Sequence, residues 1–192
     1  MELFIGPMFS GKTSRLMVEI EKYKGLGDKV LVINHSEDIR TDENIQTHNG
    51  NKYQAIKTHT LLPLLRDNRF KQANVIAIDE AQFFEDIIAF VTKAEWFDKK
   101  YFFAGLKGDA NRKPFKQISE LIPLMDVIVD IPAVDLTSSD RDYAPFTRRK
   151  NNDIDTQIAV GGKEIYESLS RKHYLQKIME EKISSGSYNV VE

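Results

Sequence analysis

The chain has 192 residues, 41% hydrophobic and 29% charged, a composition that excludes a disordered protein and allows a buried core. Lysine and arginine total 27 against 29 acids, so no broad basic surface favours nucleic acid or an anionic membrane as a partner. Cysteine is absent, which excludes disulfides, thiolate metal ligands and a cysteine nucleophile. With no apolar run of ~18 residues and no leader, we expect a cytoplasmic protein.

Short apolar runs rich in branched and aromatic residues predict buried strands at residues 3–5, 30–33, 75–78, 101–103 and 127–131. Helical spacing follows the first run, at Leu16, Met17, Ile20 and Tyr23, and a second apolar cluster lies at residues 61–65. Apolar strands that alternate with amphipathic helices predict an α/β fold, with a parallel sheet covered by helices on both faces.

The pattern changes after about Ala133. Residues 135–158 are polar and rich in turn formers, which predicts a loop-built second region. Helical spacing returns from about Glu164 to Ile183. We therefore expect a larger domain at residues 1–133 and a smaller one at residues 134–192.

The stretch GPMFSGKT, residues 6–13, matches the pattern G-x-x-x-x-G-K-[ST] and stands between a predicted strand and a predicted helix. We call it the glycine loop. In a phosphate-binding loop, backbone N–H groups and the helix N-terminus face the phosphates, the lysine reaches the outer ones, and the hydroxyl can ligate magnesium. We predict that ATP binds the whole loop: Gly6, Pro7, Met8, Phe9, Ser10, Gly11, Lys12 and Thr13. The alternative is a glycine turn with a solvated lysine.

Two acids, Asp79 and Glu80, follow the predicted strand at residues 75–78. In a nucleotide site, Asp79 would hold Mg²⁺ together with Thr13, and Glu80 could accept a proton from an attacking hydroxyl. The alternative is that these acids simply bring the strand end to solvent. The glycine loop elsewhere in the chain favours the functional interpretation.

Four motifs in order, GPMFSGKT, DEAQFF at 79–84, GLKGDANRKPF at 105–115 and GGKEIY at 161–166, resemble those of the type II thymidine kinases of cells and poxviruses. The resemblance implies a RecA-like P-loop domain, a small C-terminal lasso domain that closes over the nucleoside, and a homotetramer. It also implies transfer of the γ-phosphate of ATP to the 5′-hydroxyl of thymidine, with deoxyuridine as a possible second acceptor.

The resemblance gives individual residues roles. Glu80 matches the general base and Asp79 the magnesium-linked acid, while Asp38 and Arg40 match a D-x-R segment whose arginine would stabilise phosphoryl charge. A surface ion pair between Asp38 and Arg40 is the alternative. The implied nucleoside contacts are Gln82, Phe83, Phe115, Thr147, Val160, Gly161, Gly162 and Tyr166. For the last three, a plain glycine turn and a core tyrosine remain open.

The chain departs from the family at its zinc site. Where relatives carry cysteines or a histidine that bind a structural zinc, this chain has Asp135, Ser138, Ser170 and His173. Two serines cannot supply the thiolates that such a site prefers, so we predict that no zinc is bound. The lasso would then be held by packing and hydrogen bonds, or be mobile until substrate arrives.

A second departure concerns the base pocket. Relatives commonly have an aspartate in place of Lys107 and an aromatic residue in place of Ala110, and losing that ring removes stacking worth ~1 kcal/mol unless Phe115 compensates. Two alternatives to a thymidine kinase therefore stay open. One is a deoxynucleoside kinase with shifted or broadened pyrimidine specificity, and the other is a nucleotide-binding protein without catalysis.

Overall fold

The computed structural model describes residues 1–38, 44–46, 52–139, 141–150 and 162–184. In chain order, its strands are β1 Glu2–Gly6, β2 Val30–His35, β3 Asn44–Gln46, β4 Lys52–Gln54, β5 Ile56–Thr58, β6 Val75–Ile78, β7 Lys100–Leu106, β8 Val127–Asp130, β9 Ala133–Val134, β10 Tyr143–Ala144, β11 Phe146–Arg149 and β12 Tyr166–Leu169. The α-helices are α1 Lys12–Gly25, α2 Asn68–Gln72, α3 Ile87–Ala94, α4 Lys116–Leu121 and α5 Arg171–Ser184, with 3-10 turns at Leu62–Arg66, Ala81–Phe83 and Ile122–Leu124.

Within the described ranges, six strands form one sheet in the order β5-β2-β6-β7-β1-β8. Every pairing in this sheet is parallel. This topology confirms the predicted α/β fold of RecA-like type. Because parallel strands end at the same edge, the residues that follow β1, β2, β6 and β7 lie at one carboxyl edge, the usual place for a site in an open α/β sheet.

The two faces of the sheet bury alternate residues of the same strands. In β1, Leu3 and Ile5 belong to one apolar cluster and Phe4 to the other. The first cluster is covered by α3 and α4, and the second by Leu16, Met17 and Ile20 of α1. Strands buried on both faces read as continuous apolar runs, and this is why the sequence pattern located them.

The structure corrects several element predictions. The edge strand β8 was predicted to be buried, but Val127 is 45% and Ile128 41% exposed. The parallel strand β5, in AIKTHT, was not predicted, because an edge strand with one partner needs few apolar residues. The apolar cluster at residues 61–65 lies mostly in the 3-10 turn Leu62–Arg66. The C-terminal helix begins at Arg171, since the preceding β12 pairs with β11.

The region from Ala133 onward, which was predicted to be built of loops, contains short antiparallel pairs, β9 with β10 and β11 with β12. The latter pair packs against α5 through Tyr174, whose ring centroid lies 5.4 Å from that of Phe146.

As for membrane spans, no helix in the described part of the chain combines the length and apolar character needed to cross a bilayer.

Candidate active site

The backbone of the glycine loop requires glycine at both of its ends. A Cβ atom on Gly6 would lie 2.2 Å from the carbonyl oxygen of Ile131 and 2.7 Å from Ser10 Oγ. Gly11, at the N-cap of α1, has a φ of 86°, which favours glycine because other residues rarely adopt it. The first and second glycines of the motif are therefore explained by close approach and by backbone conformation, respectively.

The polar groups of the glycine loop turn toward the start of α1. Lys12 Nζ donates a 2.6 Å hydrogen bond to the carbonyl oxygen of Pro7, so the ammonium group folds back over the loop. Ser10 Oγ is buried and has no hydrogen-bond partner in the described part of the chain. A buried hydroxyl without a partner, beside a helix N-terminus and a lysine, fits an anion such as the phosphate chain of ATP.

The glycine loop meets the acids of β6 through Thr13. Its hydroxyl donates a 2.9 Å hydrogen bond to Asp79 Oδ2, and Asp79 is only 3% exposed. The backbone N–H of Asp79 is fixed by the carbonyl of Ile33 in β2, at 2.9 Å. A hydroxyl and a carboxylate at this distance are hard oxygen ligands of the kind that Mg²⁺ takes, so the residues present fit that ion.

Glu80 has an unusual backbone. Its φ of 53° and ψ of 41° are left-handed, a conformation that is strained for a residue with a side chain and that is frequent at functional sites. The backbone N–H of Glu80 donates a 3.0 Å hydrogen bond to Asp79 Oδ1, and this bond stabilises the turn. Gln82 Nε2 donates a 2.5 Å hydrogen bond to Glu80 Oε2. The backbone of Glu80 is thus fixed by Asp79, and its carboxylate is oriented by Gln82.

The two phenylalanines after Gln82 differ in environment. Phe84 is fully buried and belongs to the core cluster that contains Ile78 and Ala81. Phe83 is partly buried and lies against the imidazole of His35, with ring centroids 5.6 Å apart. Burial lowers the pKa of His35 below its ordinary 6.5, so this ring is neutral at pH 7. The neutral ring forms part of an aromatic group beside the strand-end acids.

The C-terminal strands contact the glycine loop directly. Thr147 Oγ1 accepts a 2.9 Å hydrogen bond from Met8 N–H, and Ser168 Oγ donates a 2.5 Å hydrogen bond to the carbonyl oxygen of Met8. Thr147 and Ser168 are cross-strand partners in the β11–β12 pair. Sequence reasoning predicted Thr147 as a nucleoside contact but missed Ser168, which only the strand register identifies as its partner.

The other predicted nucleoside contacts among the described residues come from different elements. Gly162 and Tyr166 are joined by a 2.9 Å hydrogen bond from Tyr166 N–H to the Gly162 carbonyl, and the Tyr166 ring packs under the guanidinium group of Arg149. Phe115 is buried in the core cluster that includes Ile118, and its role in the base pocket stays a prediction. Arg40, Val160 and Gly161 lie outside the described residues.

The loop after β7 carries Lys107 and Ala110, the two departures that were predicted to affect the base pocket. The Tyr174 hydroxyl donates a 2.8 Å hydrogen bond to the Ala110 carbonyl, so the backbone at this position is anchored to α5. The side chain of Lys107 forms a 2.7 Å ion pair with Asp130, and Lys107 is thereby tied to the end of β8.

Three of the four positions at which the resemblance places zinc ligands, Asp135, Ser170 and His173, form a hydrogen-bonded cluster with Thr137 around the fully buried Asp135. Ser138 instead donates a 3.3 Å hydrogen bond to Asp142 Oδ2. Asp135 Oδ1 accepts hydrogen bonds from the N–H and the hydroxyl of Thr137, at 2.9 and 2.6 Å. Its Oδ2 accepts from Ser170 N–H at 2.7 Å and contacts His173 Nδ1 at 2.8 Å. Since a carboxylate can only accept, the shared proton lies on the imidazole. We call Asp135, Thr137, Ser170 and His173 the Asp135 cluster.

The hydrogen bonds of the Asp135 cluster change the pKa of the Asp135 carboxyl. Burial raises the pKa of the Asp135 carboxyl, but the hydrogen bonds from Thr137, Ser170 and His173 outweigh burial and hold that pKa well below its ordinary 3.8. Within the described ranges, no group of three or more histidine, aspartate or glutamate side chains is arranged to hold a metal ion. The absence of zinc stays a prediction, which metal analysis of the purified protein would test.

A parallel sheet with a lysine, a hydroxyl and adjacent carboxylates at its carboxyl edge is typical of enzymes that transfer phosphoryl groups. The chain belongs to the thymidine kinase family, whose model matches residues 1–174.

Poxviral proteins are among its relatives. It is 34% identical over 176 residues to the thymidine kinase of raccoon poxvirus, covering 92% of this chain and 97% of that protein. It is 34% identical over 174 residues to the thymidine kinases of vaccinia virus strain Western Reserve and of monkeypox virus, in each case covering 91% of this chain and 96% of the relative.

Proposed function

We propose that this chain transfers the γ-phosphate of ATP to the 5′-hydroxyl of thymidine, giving thymidine monophosphate and ADP. The observation that carries the proposal is the 2.9 Å contact between Thr13 Oγ1 and Asp79 Oδ2. It joins the glycine loop to the strand end where Glu80 stands. An ATP phosphate chain in the loop would therefore lie beside the carboxylate that is to receive the proton.

In the proposed reaction the 5′-oxygen forms a bond to the γ-phosphorus while the bond from that phosphorus to the β-bridging oxygen breaks. Glu80 accepts the hydroxyl proton. Lys12 exchanges its contact with the Pro7 carbonyl for the outer phosphates, and Arg40 adds positive charge around the phosphoryl oxygens. Thr13 and Asp79 would hold Mg²⁺, which, when bound, neutralises charge on the phosphates.

Residues 134–192 would form the small domain that closes over the nucleoside. Two hydrogen bonds tie Thr147 and Ser168 to Met8, and this attachment supports a base site between the glycine loop and the β11–β12 pair. Backbone groups of Val160, Gly161 and Gly162 would lie along the base, and Tyr166 would cover it. Phe83 and Phe115 are proposed to complete the pocket.

A homotetramer and a cytoplasmic location are further proposals, drawn from the resemblance and the composition.

The proposal is tested with purified protein, ATP, Mg²⁺ and labelled thymidine. We expect labelled monophosphate, and we expect Glu80→Gln to lower kcat by roughly 100-fold or more, because the general base is lost. Glu85→Gln makes the same chemical change at an exposed position and should retain activity. Full activity of Glu80→Gln would remove Glu80 from the proposed role, and ATP binding with no turnover of any nucleoside would favour a non-catalytic protein.

The acceptor range is a separate question, because Ala110 offers a methyl group where relatives carry a ring. Competition between thymidine, deoxyuridine, deoxycytidine and the purine deoxynucleosides measures it directly. Strong preference for thymidine would dismiss the alternative of broadened pyrimidine specificity. Similar kcat/KM values for several pyrimidine nucleosides would support it.

A further inference from the structure

Gln82 is buried between the proposed general base and the sheet. Only 2% of it is exposed. Its Oε1 accepts a 3.0 Å hydrogen bond from the backbone N–H of Leu106, at the end of β7, and its Nε2 donates a 2.5 Å hydrogen bond to Glu80 Oε2. The side chain therefore connects the Glu80 carboxylate to a fixed backbone group of the central sheet.

The orientation of the Gln82 amide is determined by its partners. An N–H group can only donate and an ionised carboxylate can only accept, so the amide oxygen must face Leu106 and the NH₂ group must face Glu80. The opposite orientation would place two donors against each other and two acceptors against each other. Both ends of the amide are thus used, and rotation about the last bond would break both contacts.

The sheet also leaves room for this amide. A Cβ atom on Gly105 would lie 3.1 Å from Gln82 Oε1 and 2.6 Å from Ile118 Cδ1. Any side chain at position 105 would therefore press on the amide from the β7 side. Glycine at this position lets the Gln82 side chain lie flat against the strand.

Glu80 itself needs such support. Its left-handed backbone is strained, and a strained residue keeps one geometry only when its surroundings fix it. A general base also has to be held within hydrogen-bond reach of the proton that it accepts. A carboxylate on a flexible side chain gains this precision from a buried donor that is itself anchored.

We propose that Gln82 is the positioning residue for Glu80, rather than a residue that contacts the nucleoside. The inference rests on the proposed role of Glu80. Through its two hydrogen bonds, Gln82 holds the Glu80 carboxylate in a fixed position relative to β7, and it does not contact the substrate. The reaction then depends on Gln82 for its rate and not for the binding of either substrate.

The variant Gln82→Glu distinguishes a positioning role of Gln82 from a purely structural role of the same side chain. A glutamate side chain has nearly the same shape and can still accept from Leu106 N–H, but it offers a carboxylate oxygen where the NH₂ group faced Glu80. We expect kcat to fall by about 100-fold, with the KM values for thymidine and ATP unchanged within about twofold. Gln72→Glu, the same change at an exposed residue of α2, should have no effect. Gln82→Met, which removes both hydrogen bonds, serves as a second variant should Gln82→Glu fail to fold.

The same measurements distinguish the possible failures. Wild-type kcat in folded Gln82→Glu, or a raised thymidine KM with unchanged kcat, would overturn the positioning role while leaving the kinase assignment intact. If Glu80→Gln keeps full activity, the proposed role of Glu80 fails instead. In the Glu80→Gln background, Gln82→Met should cause no further loss, since a positioning residue has no effect once its target is gone. An additional loss there would also overturn the inference.

Discussion

Replacing Asp135 with asparagine tests how the C-terminal region is held. The carboxylate accepts four hydrogen bonds, two at each oxygen. An asparagine amide can accept at one of these sites, but its NH₂ group then faces two donors at the other. Two bonds to a charged group are lost, each worth about 1.5–3 kcal/mol, so we expect a destabilisation of about 3–6 kcal/mol.

Urea unfolding followed by circular dichroism measures this cost. At a slope of about 2 kcal/mol per molar urea, the midpoint of Asp135→Asn should fall by roughly 1.5–3 M. Asp98→Asn, at an exposed position, should stay within about 0.5 kcal/mol of wild type. Equal midpoints for the two variants would refute the idea that the Asp135 cluster holds this region together.

The pH dependence of the same variant has a definite sign. Because hydrogen bonds hold the pKa of Asp135 below its ordinary 3.8, the stabilisation is fully present above that pH and is lost as the pH falls further. We therefore expect the gap between wild type and Asp135→Asn to be constant from pH 7 to about 5 and to narrow below pH about 4. A gap that widens in acid would contradict this assignment of charge.

Two further predictions concern the glycine loop. Gly6→Ala places a Cβ atom 2.2 Å from the Ile131 carbonyl oxygen, so the affinity for ATP, measured by calorimetry, should fall by at least about tenfold. Gly25→Ala is the control, because its Cβ atom would meet nothing within 4 Å. An unchanged affinity of Gly6→Ala for ATP would contradict the prediction. Thr147→Val leaves Met8 N–H without its hydrogen bond, and we expect a loss of about 1–3 kcal/mol in unfolding free energy, which a thermal unfolding curve identical to wild type would disprove.

The central strands and the glycine loop could be predicted from the sequence because their causes are local. Strands buried on both faces must be continuously apolar, as Val75–Ile78 is. The loop between β1 and α1 carries its own backbone requirements in Gly6 and Gly11. Asp79 follows directly from the end of β6. In each case, the residues that determine the structure are neighbours in the chain.

The prediction failed where the cause lies in a distant partner. The segment Tyr166–Leu169 has helical spacing, yet it forms a strand because β11 offers a partner for it. The exposed strand β8 is as apolar as a buried one, and only its edge position distinguishes it. Likewise, Gln82 shows its relation to Leu106 only after β6 and β7 are placed side by side.

The attachments of the C-terminal region converge on β12. Ser168, within this strand, bonds to the glycine loop at Met8, and Ser170, immediately after it, bonds to Asp135. A strand that is fixed at both points cannot slide along its length without breaking one of them. By anchoring one end of β12, the Asp135 cluster therefore also fixes the distance between that strand and the glycine loop. Hydrogen bonds can serve here because the carboxylate that accepts them is fully buried and both of its oxygens have partners. A partly satisfied cluster would be weaker than an apolar one.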